Sequence, residues 1–223
     1  MNTLVITTDT IHHKIFLSNL NLNKINLNII FETKQIKIKF NTDHPYINKR
    51  NKYEKKFLKY FNLDKKIKKF HNVNSNECID YIDKLKPEII LLFGTGKITK
   101  SFLKKFKKID IVNLHGGNPE EYRGLDTLLW CIYHKDFKNL FTTLHYVDEN
   151  LDTGKIIKKM KIKTKNLNIF NLRYLNTLNC VSLFNYFLKN KKKIKSYKQR
   201  KIGRYYSAIP SVLIDRCIQN LNK

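Results

Sequence analysis

The stretch EIILLFGTGKITKSFLKKFKKIDIVNLHGG, residues 88–117, decides the fold of this chain. Its two apolar runs, IILLFG at 89–94 and IDIVNLH at 109–115, are typical of strands that are buried on both faces. The segment between them, ITKSFLKKF at 98–106, is predicted to be a helix. A strand, a helix and a second buried strand make the unit from which parallel sheets are built.

Strands and helices alternate along the rest of the chain as well. Further strands are predicted at TLVITT (3–8), NIIFET (28–33), FTTLHYV (141–147) and GKIIKKMKI (154–162). Further helices are predicted at HKIFLSNL (13–20), NKRNKYEKKFLKYF (48–61), SNECIDYIDKLKPE (75–88), LDTLLWCIYHKDF (125–137) and NIFNLRYLNTLNCVSLFNYFLKN (168–190). This order predicts an α/β fold, a Rossmann-like, mostly parallel twisted sheet with helices on both faces. We expect one domain over 1–190, with a short, mainly helical C-terminal appendage over 191–223 packing on it.

Composition excludes several classes of protein. Apolar residues make up 42% of the chain and aromatic residues 12%, as in ordinary globular domains. No apolar run approaches the roughly 20 residues of a membrane span, and the start MNTLVITTDT does not resemble a secretory signal. The cysteines Cys78, Cys131, Cys180 and Cys217 lie far apart, which predicts reduced thiols and no metal site. We therefore expect a cytoplasmic protein with no membrane contact.

The formal net charge of +26 has two interpretations. A basic surface is typical of proteins that bind nucleic acids. However, the basic residues are spread over the whole chain, and lysine, asparagine and isoleucine are abundant together, as AT-rich codon usage would produce. We favour the second interpretation and expect no nucleic-acid partner. The densest basic run, KNKKKIKSYKQRK at 189–201, is interpreted as a solvated connection.

The glycines point to the position of a site. In open α/β sheets, ligands bind outside the carboxyl ends of the strands. Six of the seven glycines follow strands predicted to end near residues 93, 115 and 147. They are Gly94, Gly96, Gly116, Gly117, Gly124 and Gly154.

Two polar segments at this edge carry candidate chemistry. Asn113 and His115 alternate with Leu114 along a strand, so both side chains point to the same side. Gly116 and Gly117 then let the backbone turn and leave space beside the imidazole. The loop DENLDTGKII at 148–157 supplies carboxylates that can reach His115. An amide, an imidazole and a carboxylate together provide an oxyanion donor, a proton shuttle and a group that orients the shuttle. Each segment alone is also compatible with a purely structural turn.

The ordered motifs NLHGGNPEEYRG, LLWCIYH and LDTG resemble the formyltransferase domain family, whose pattern is Asn-x-His, Pro-x-x-Tyr-Arg-Gly and a later Leu-Asp-Thr-Gly. The similarity is strong over about 85–160 and weak in the flanks. It implies transfer of a formyl group from 10-formyltetrahydrofolate to a primary amine, without a metal. The residues that match the catalytic set of the family are Asn113, His115 and Asp152.

The resemblance also implies a folate site and an acceptor site. The predicted folate-binding residues are Phe93, Gly94, Thr95, Gly96, Lys97, Ile98, Asp148, Glu149 and Leu151. The predicted substrate-binding residues are His12, His13, Gly116, Gly117 and Arg123. For Arg123, bracing of its own loop is the alternative to substrate contact, and the sequence favours bracing.

Departures from the family pattern bear on the identity of the amine. The segment TTDTIHHKI after the first strand has no glycine, unlike the phosphate loop of the glycinamide ribonucleotide enzymes. About sixty residues follow residue 163, too few for the tRNA-gripping barrel of the methionyl-tRNA enzymes. The expected acceptor is a nucleotide-linked amino sugar used in surface-glycan synthesis, such as lipopolysaccharide O-antigen. The alternatives are glycinamide ribonucleotide, methionyl-tRNA, or a non-catalytic RNA-binding protein on this scaffold. Aromatic residues near the C-terminus are compatible with a homodimer.

Overall fold

The computed structural model describes residues 1–23, 25–34, 38–59 and 67–222. Its strands are β1 (Asn2–Thr7), β2 (Asn26–Glu32), β3 (Ile67–Phe70), β4 (Ile89–Leu92), β5 (Asp110–His115), β6 (Tyr122–Gly124), β7 (Phe141–Tyr146), β8 (Ile156–Lys161) and β9 (Arg204–Tyr206). Its helices are α1 (Ile11–Ser18), α2 (Pro45–Lys55), α3 (Asn76–Leu85), α4 (Lys100–Lys105), α5 (Thr127–Tyr133), α6 (Leu172–Asn190) and α7 (Ile214–Leu221).

The main sheet confirms the predicted α/β fold. Its strand order is β3-β2-β1-β4-β5-β7-β8. The first five strands run parallel, and β7 and β8 pair antiparallel at the other end. A second, two-stranded sheet joins β6 to β9 in parallel.

Alternation along the strands divides the apolar side chains between two cores. On one face, Val5 packs in a cluster with Phe16 of α1 and Phe184 of α6. On the other face, Leu4 and Ile6 pack in a cluster that includes α3 and α4 residues. The central strand β4 is therefore apolar throughout, because both faces of the sheet are covered there.

Local signals explain where the helices begin. The Ser75 hydroxyl accepts a hydrogen bond from the Cys78 N–H (3.3 Å) and caps α3, as expected for its N-terminus. Lys86 adopts a left-handed conformation at the end of α3, immediately before Pro87. The predicted helix 48–61 instead begins at Pro45 and ends at Lys55; its predicted last residues, 60 and 61, lie outside the described part of the chain. Pro45 is well suited to a first turn because its missing N–H would have no helical partner there.

Three strands were not predicted. β3 contains two exposed lysines, and β6 and β9 have three residues each. The C-terminal segment does contain the expected helix, α7, but it also supplies β9. Through the pairing of β6 with β9, this segment reaches the motif Tyr122-Arg123-Gly124.

The cysteines are free and buried, in agreement with the predicted reduced thiols. Among the described helices, none is both long and apolar enough to cross a membrane.

Candidate functional site

A cavity of about 310 Å³ lies at the carboxyl ends of β1, β4 and β5. The strand order reverses between β1 and β4, since the chain proceeds from β1 to β2 on one side and from β4 to β5 on the other. Such a reversal opens a crevice, which is where ligands bind in sheets of this type. Asn113, His115 and Asp152 all line this cavity. The structure therefore brings together the three predicted catalytic residues.

Asn113 is held by His145 and Asp152. Its Nδ2 atom lies 3.1 Å from Nε2 of His145 and 3.3 Å from Oδ1 of Asp152. His145 Nδ1 lies 2.7 Å from the Tyr146 carbonyl oxygen, which can accept but not donate. The Nδ1 atom therefore carries a proton, while Nε2 faces the Asn113 amide and, at 3.6 Å, Oδ1 of Asp152. The contact with Asp152 fixes the orientation of the amide, because the flipped form would place its oxygen against the Asp152 carboxylate.

His115 lies between two acceptors. Its Nε2 atom donates to the Tyr122 carbonyl oxygen at 2.8 Å, and its Nδ1 atom lies 3.5 Å from Oδ2 of Asp152. A protonated ring donates at both nitrogens, whereas a neutral ring donates at one. The Nδ1 atom of His115 therefore faces the Asp152 carboxylate.

The Asp152 carboxylate is surrounded by groups that favour its charged form. Burial alone would raise the pKa of Asp152, but His115, His145 and the Gly124 N–H outweigh burial and hold this pKa below its ordinary value. The Gly124 N–H donates to Oδ2 at 2.9 Å. Asp152 therefore carries a negative charge at neutral pH, although its side chain is only 4% exposed.

The Tyr122-Arg123-Gly124 motif holds two of the predicted catalytic residues, His115 and Asp152, from one side. Tyr122 accepts from His115 and Gly124 donates to Asp152, as described above. Arg123 donates from Nε to the Gly203 carbonyl (2.7 Å) and from Nη1 to the Leu151 carbonyl (3.0 Å). Arg123 lies outside the lining of the cavity, so the structure assigns it a bracing role and not the predicted contact with substrate.

The LDTG segment has a backbone shape that its residues explain. Asp152 has a φ of 56°, a left-handed value that aspartate tolerates better than most residues. A Cβ atom on Gly154 would lie 1.8 Å from the Tyr146 carbonyl oxygen, so only glycine fits there. Nε2 of Gln199 donates to the carbonyls of Asp152 (2.8 Å) and Gly154 (3.0 Å). The C-terminal segment thus supports the loop that carries the Asp152 carboxylate.

Of the two glycines that were predicted to leave space beside His115, only Gly116 lines the cavity. A Cβ atom on Gly117 would lie 2.8 Å from Nε2 of His115 and 2.8 Å from Oγ1 of Thr127. Glycine at 117 therefore lets the side chains of His115 and Thr127 pack against the backbone; Gly117 lies outside the cavity lining, whereas Gly116 belongs to it.

A family model described as Formyl transferase matches residues 3–168. The chain therefore belongs to the formyl transferase family. The match includes Asn113, His115 and Asp152, together with every strand of the main sheet.

Relatives of this formyl transferase match it over parts of their length. The bifunctional polymyxin resistance protein ArnA of Wigglesworthia glossinidia brevipalpis is 37% identical over 108 residues, which is 48% of this chain and 16% of the relative. The chain thus matches a small part of that protein.

Solved structures share the fold at low sequence identity. A sugar N-formyltransferase from Shewanella sp FDAARGOS_354 has a TM-score of 0.67 at 12% identity, covering 99% of this chain and 87% of that one. The formyltransferase PseJ from Anoxybacillus kamchatkensis has a TM-score of 0.54 at 17% identity, covering 93% and 86%. PseJ was crystallised with UDP-4,6-dideoxy-4-formamido-L-AltNAc and tetrahydrofolate.

The predicted folate-binding segment forms one wall of the cavity in this formyl transferase. Residues 93–98 all line the cavity, as do Asp148 and Leu151. Glu149 lies outside the lining and pairs with Lys100 at 2.6 Å. Asp148 braces its own loop, since Oδ1 accepts from the Asn150 N–H (3.1 Å) and the Thr153 hydroxyl (2.6 Å).

Glu32 is a site residue that sequence reasoning missed. It is 5% exposed at the end of β2, and its carboxylate accepts from the Val73 N–H (3.2 Å) and the Gly96 N–H (2.8 Å). One buried carboxylate therefore holds the middle of the 93–98 wall. The sequence signal that could have identified Glu32 is its position at the carboxyl end of a predicted parallel strand, where ligands bind in such sheets.

The predicted acceptor residues His12 and His13 also line the cavity. His13 is 3% exposed, and its Nδ1 atom lies 2.7 Å from the Thr8 hydroxyl and 2.9 Å from the Thr10 hydroxyl. Burial, followed by the charge of Arg173, lowers the pKa of His13 to about 3. His13 is thus a neutral ring at physiological pH.

We expect His13 to weaken the fold in acid. Since the pKa of His13 is about 3 in the folded protein and about 6.5 in an unfolded chain, the unfolded state binds an extra proton between these values. The free energy of unfolding should therefore fall as pH decreases through this window, by at most about 1.4 kcal/mol per pH unit for one proton. In His13→Gln, the free energy of unfolding, measured by urea titration at pH values from 6.5 to 4, should depend less steeply on pH. The decrease in slope should correspond to about one bound proton. His71→Gln, which removes an exposed imidazole, is the matched control; a variant slope equal to that of the wild type would contradict the assignment.

Proposed function

We propose that this formyl transferase moves a formyl group from 10-formyltetrahydrofolate to the primary amine of a nucleotide-linked amino sugar. The observation that carries the proposal is the convergence of Asn113, His115 and Asp152 on the cavity whose wall is the 93–98 segment. The cavity volume of about 310 Å³ falls within the usual range for small-molecule sites, about 300–1,000 Å³. We further propose that residues 1–190 form the catalytic domain and that 191–223 is an extension packed on it.

Asn113 is suited to stabilise the charge that develops on the formyl oxygen. When the acceptor nitrogen attacks the formyl carbon, negative charge moves onto that oxygen. The Asn113 amide keeps its 3.1 Å hydrogen bond to His145 and exchanges its longer 3.3 Å bond to Asp152 for the oxyanion. Because His145 holds the amide in place, this donor needs no reorganisation when the charge appears.

Asp152 and His115 are suited to handle the proton. The new carbon–nitrogen bond leaves the acceptor nitrogen with a proton to lose, and the departing folate nitrogen needs one as its bond to the formyl carbon breaks. Asp152 is ionised and attracts the acceptor proton, and His115 Nδ1, 3.5 Å from Oδ2, stabilises the carboxylate or exchanges the proton with it. No net proton is gained or lost.

The choice of a nucleotide-linked sugar rests on two observations. The segment after β1, TTDTIHHKI, contains histidines where a glycine phosphate loop would be needed for glycinamide ribonucleotide. Structures that share the fold include a sugar N-formyltransferase and PseJ, which was crystallised with a UDP-linked formamido sugar. A product of this kind would serve surface-glycan synthesis, including lipopolysaccharide O-antigen. The cytoplasmic location and the homodimer stay predictions.

The proposal is tested by incubating the protein with 10-formyltetrahydrofolate and a panel of UDP-, GDP- and dTDP-linked amino sugars. Mass spectrometry should detect a formamido product with at least one of them and none with the corresponding hydroxyl sugars. Absence of product with the whole panel, together with strongly salt-dependent RNA binding, would favour a non-catalytic binding protein.

Glu32→Gln should weaken folate binding. Glutamine retains one accepting oxygen, so the N–H of Val73 or Gly96 loses its acceptor at a buried position. We expect the free energy of unfolding to fall by about 1–3 kcal/mol, and KM for 10-formyltetrahydrofolate to rise more than kcat falls. Glu88→Gln is the control, because Glu88 accepts the Asn2 N–H (2.8 Å) at the opposite end of the sheet. An unchanged KM in the Glu32 variant would exclude a positioning role.

A further inference from the structure

Two arginines from different helices line the same cavity, away from the catalytic residues in sequence. Arg50 is on α2 and Arg173 is on α6, and both belong to the cavity lining. The predicted folate wall comes from other elements, the segments after β4 and β7. The arginines therefore come from elements other than those that supply the predicted folate wall.

Arg50 does not use all of its N–H donors in hydrogen bonds to the described residues. Its Nη1 atom donates to the Tyr46 hydroxyl at 2.8 Å, and its guanidinium carbon lies 5.1 Å from the centre of the Tyr46 ring. Its Nε atom is buried and has no hydrogen-bond partner among the described residues. Buried donors without partners are rare in native proteins, and one at a cavity wall is explained by a ligand that accepts from it.

Arg173 is held in position by a buried carboxylate. Its Nε donates to Oε1 of Glu54 (2.7 Å), and its Nη2 donates to Oε2 of Glu54 and to Oδ1 of Asn51 (2.9 Å). Glu54 is fully buried, whereas the Arg173 side chain is 24% exposed. Among the described residues, none of the Arg173 hydrogen bonds uses Nη1, so this atom can donate to a ligand in the cavity.

The charges around the two guanidiniums favour an anion. Burial, followed by the charge of Arg173, lowers the pKa of Arg50, so the two cations repel each other in their present arrangement. Glu54 is committed to Arg173, and Asp126 accepts the Ile209 N–H at 3.0 Å. Burial raises the pKa of Asp126, and the charges of Arg50 and Arg173 partly offset this rise.

We propose that Arg50 and Arg173 form the subsite for the diphosphate of the acceptor. This inference rests on the proposed function, because it names the part of the acceptor that the cavity recognises. Two guanidiniums on separate helices suit two adjacent phosphoryl groups: Arg50 can donate in parallel from Nε and Nη2 to a pair of phosphate oxygens, and Arg173 can donate from Nη1 to an oxygen of the neighbouring group. The glutamate tail of the folate also carries anionic carboxylates, and the test distinguishes binding of that tail from binding of the diphosphate.

The test is calorimetric titration of the full chain with inorganic pyrophosphate, UDP, GDP, dTDP and 5-formyltetrahydrofolate. In Arg50→Gln we expect pyrophosphate and the preferred nucleotide to bind about 10- to 100-fold more weakly, because a charged donor is lost. Affinity for 5-formyltetrahydrofolate should be unchanged. The exposed Arg204, which lies outside the cavity, supplies the control variant Arg204→Gln. The double variant Arg173→Gln with Glu54→Gln removes both partners of the buried pair and should show the same loss.

Three results would overturn the subsite: no binding of any of these anions to the wild type, equal anion affinities in wild type and Arg50→Gln, or a loss confined to the folate. The last would assign the arginines to the glutamate tail. Formylation of an amino sugar with the same KM in wild type and Arg50→Gln would refute the subsite but leave the proposed function standing. Loss of pyrophosphate binding in Arg50→Gln, with no formyl transfer by the wild type to any amine, would support the subsite and refute the proposed function.

Discussion

Asp152→Asn will lower kcat for formyl transfer by about 10²- to 10⁴-fold. Asparagine has nearly the shape of aspartate, but it cannot take up a proton and carries no charge to favour protonated His115, whose Nδ1 lies 3.5 Å away. Both oxygens of Asp152 accept a hydrogen bond, one from the Asn113 amide and one from the Gly124 N–H. Asparagine has an NH2 group in place of one of these oxygens, so a donor would face a donor at one of the two contacts.

The measurement is steady-state release of tetrahydrofolate at saturating folate and acceptor. Asp148→Asn is the matched control, because Asp148 lies in the same loop and its carboxylate braces Asn150 and Thr153. Thermal unfolding should show that the Asp152 variant is folded. An Asp152→Asn enzyme with kcat within a few-fold of the wild type would refute the role of this carboxylate.

His115→Ala will also lower kcat by about 10²- to 10⁴-fold. The ring is 5% exposed and connects the Tyr122 carbonyl to Asp152, so its removal leaves Asp152 without its nearest cationic partner. The loss should not add to that of Asp152→Asn, because residues that act as a unit give strongly non-additive effects. The double variant should therefore be about as slow as the slower single variant.

His134→Ala provides the comparison for the loss of an imidazole. His134 follows α5 and packs on Trp130, with ring centroids 6.0 Å apart, outside the cavity. Should the His115 variant keep near-wild-type turnover, or should the two single losses simply multiply in the double variant, the pair would not be the catalytic unit.

The sequence predicted the parts of the site that depend on one strand at a time. Alternation along β5 placed Asn113 and His115 on the same side, and the structure confirms that both line the cavity. Asp152 came from the family motif, and the fold brings it within 3.5 Å of His115. Continuous apolar runs predicted β4 and β5, because strands covered on both faces have no polar side to blur the pattern.

The residues that depend on pairing between strands could not be predicted. His145 lies opposite Asn113 in the antiparallel register of β5 and β7, and a one-residue shift would have turned it away. The role of Arg123 depends on carbonyls of residues 151 and 203, which are distant in sequence. No local pattern indicates such contacts, since backbone carbonyls are present at every residue.

Short edge strands were missed for a different reason. β3 reads Ile67-Lys68-Lys69-Phe70, and its two lysines are exposed, so it has neither a continuous apolar run nor strict alternation. Charged residues on an edge strand prevent pairing with other chains and weaken the strand signal at the same time.

The most direct test of the central claim is the stoichiometry of a single-turnover reaction between excess wild-type protein, 10-formyltetrahydrofolate and the preferred amino-sugar nucleotide. The account predicts that each tetrahydrofolate released is matched by one formylated amine, and that release stops when the amine is omitted or when Asp152→Asn replaces the wild type. Release that is independent of the amine, or formylation that proceeds equally well in Asp152→Asn, would contradict it.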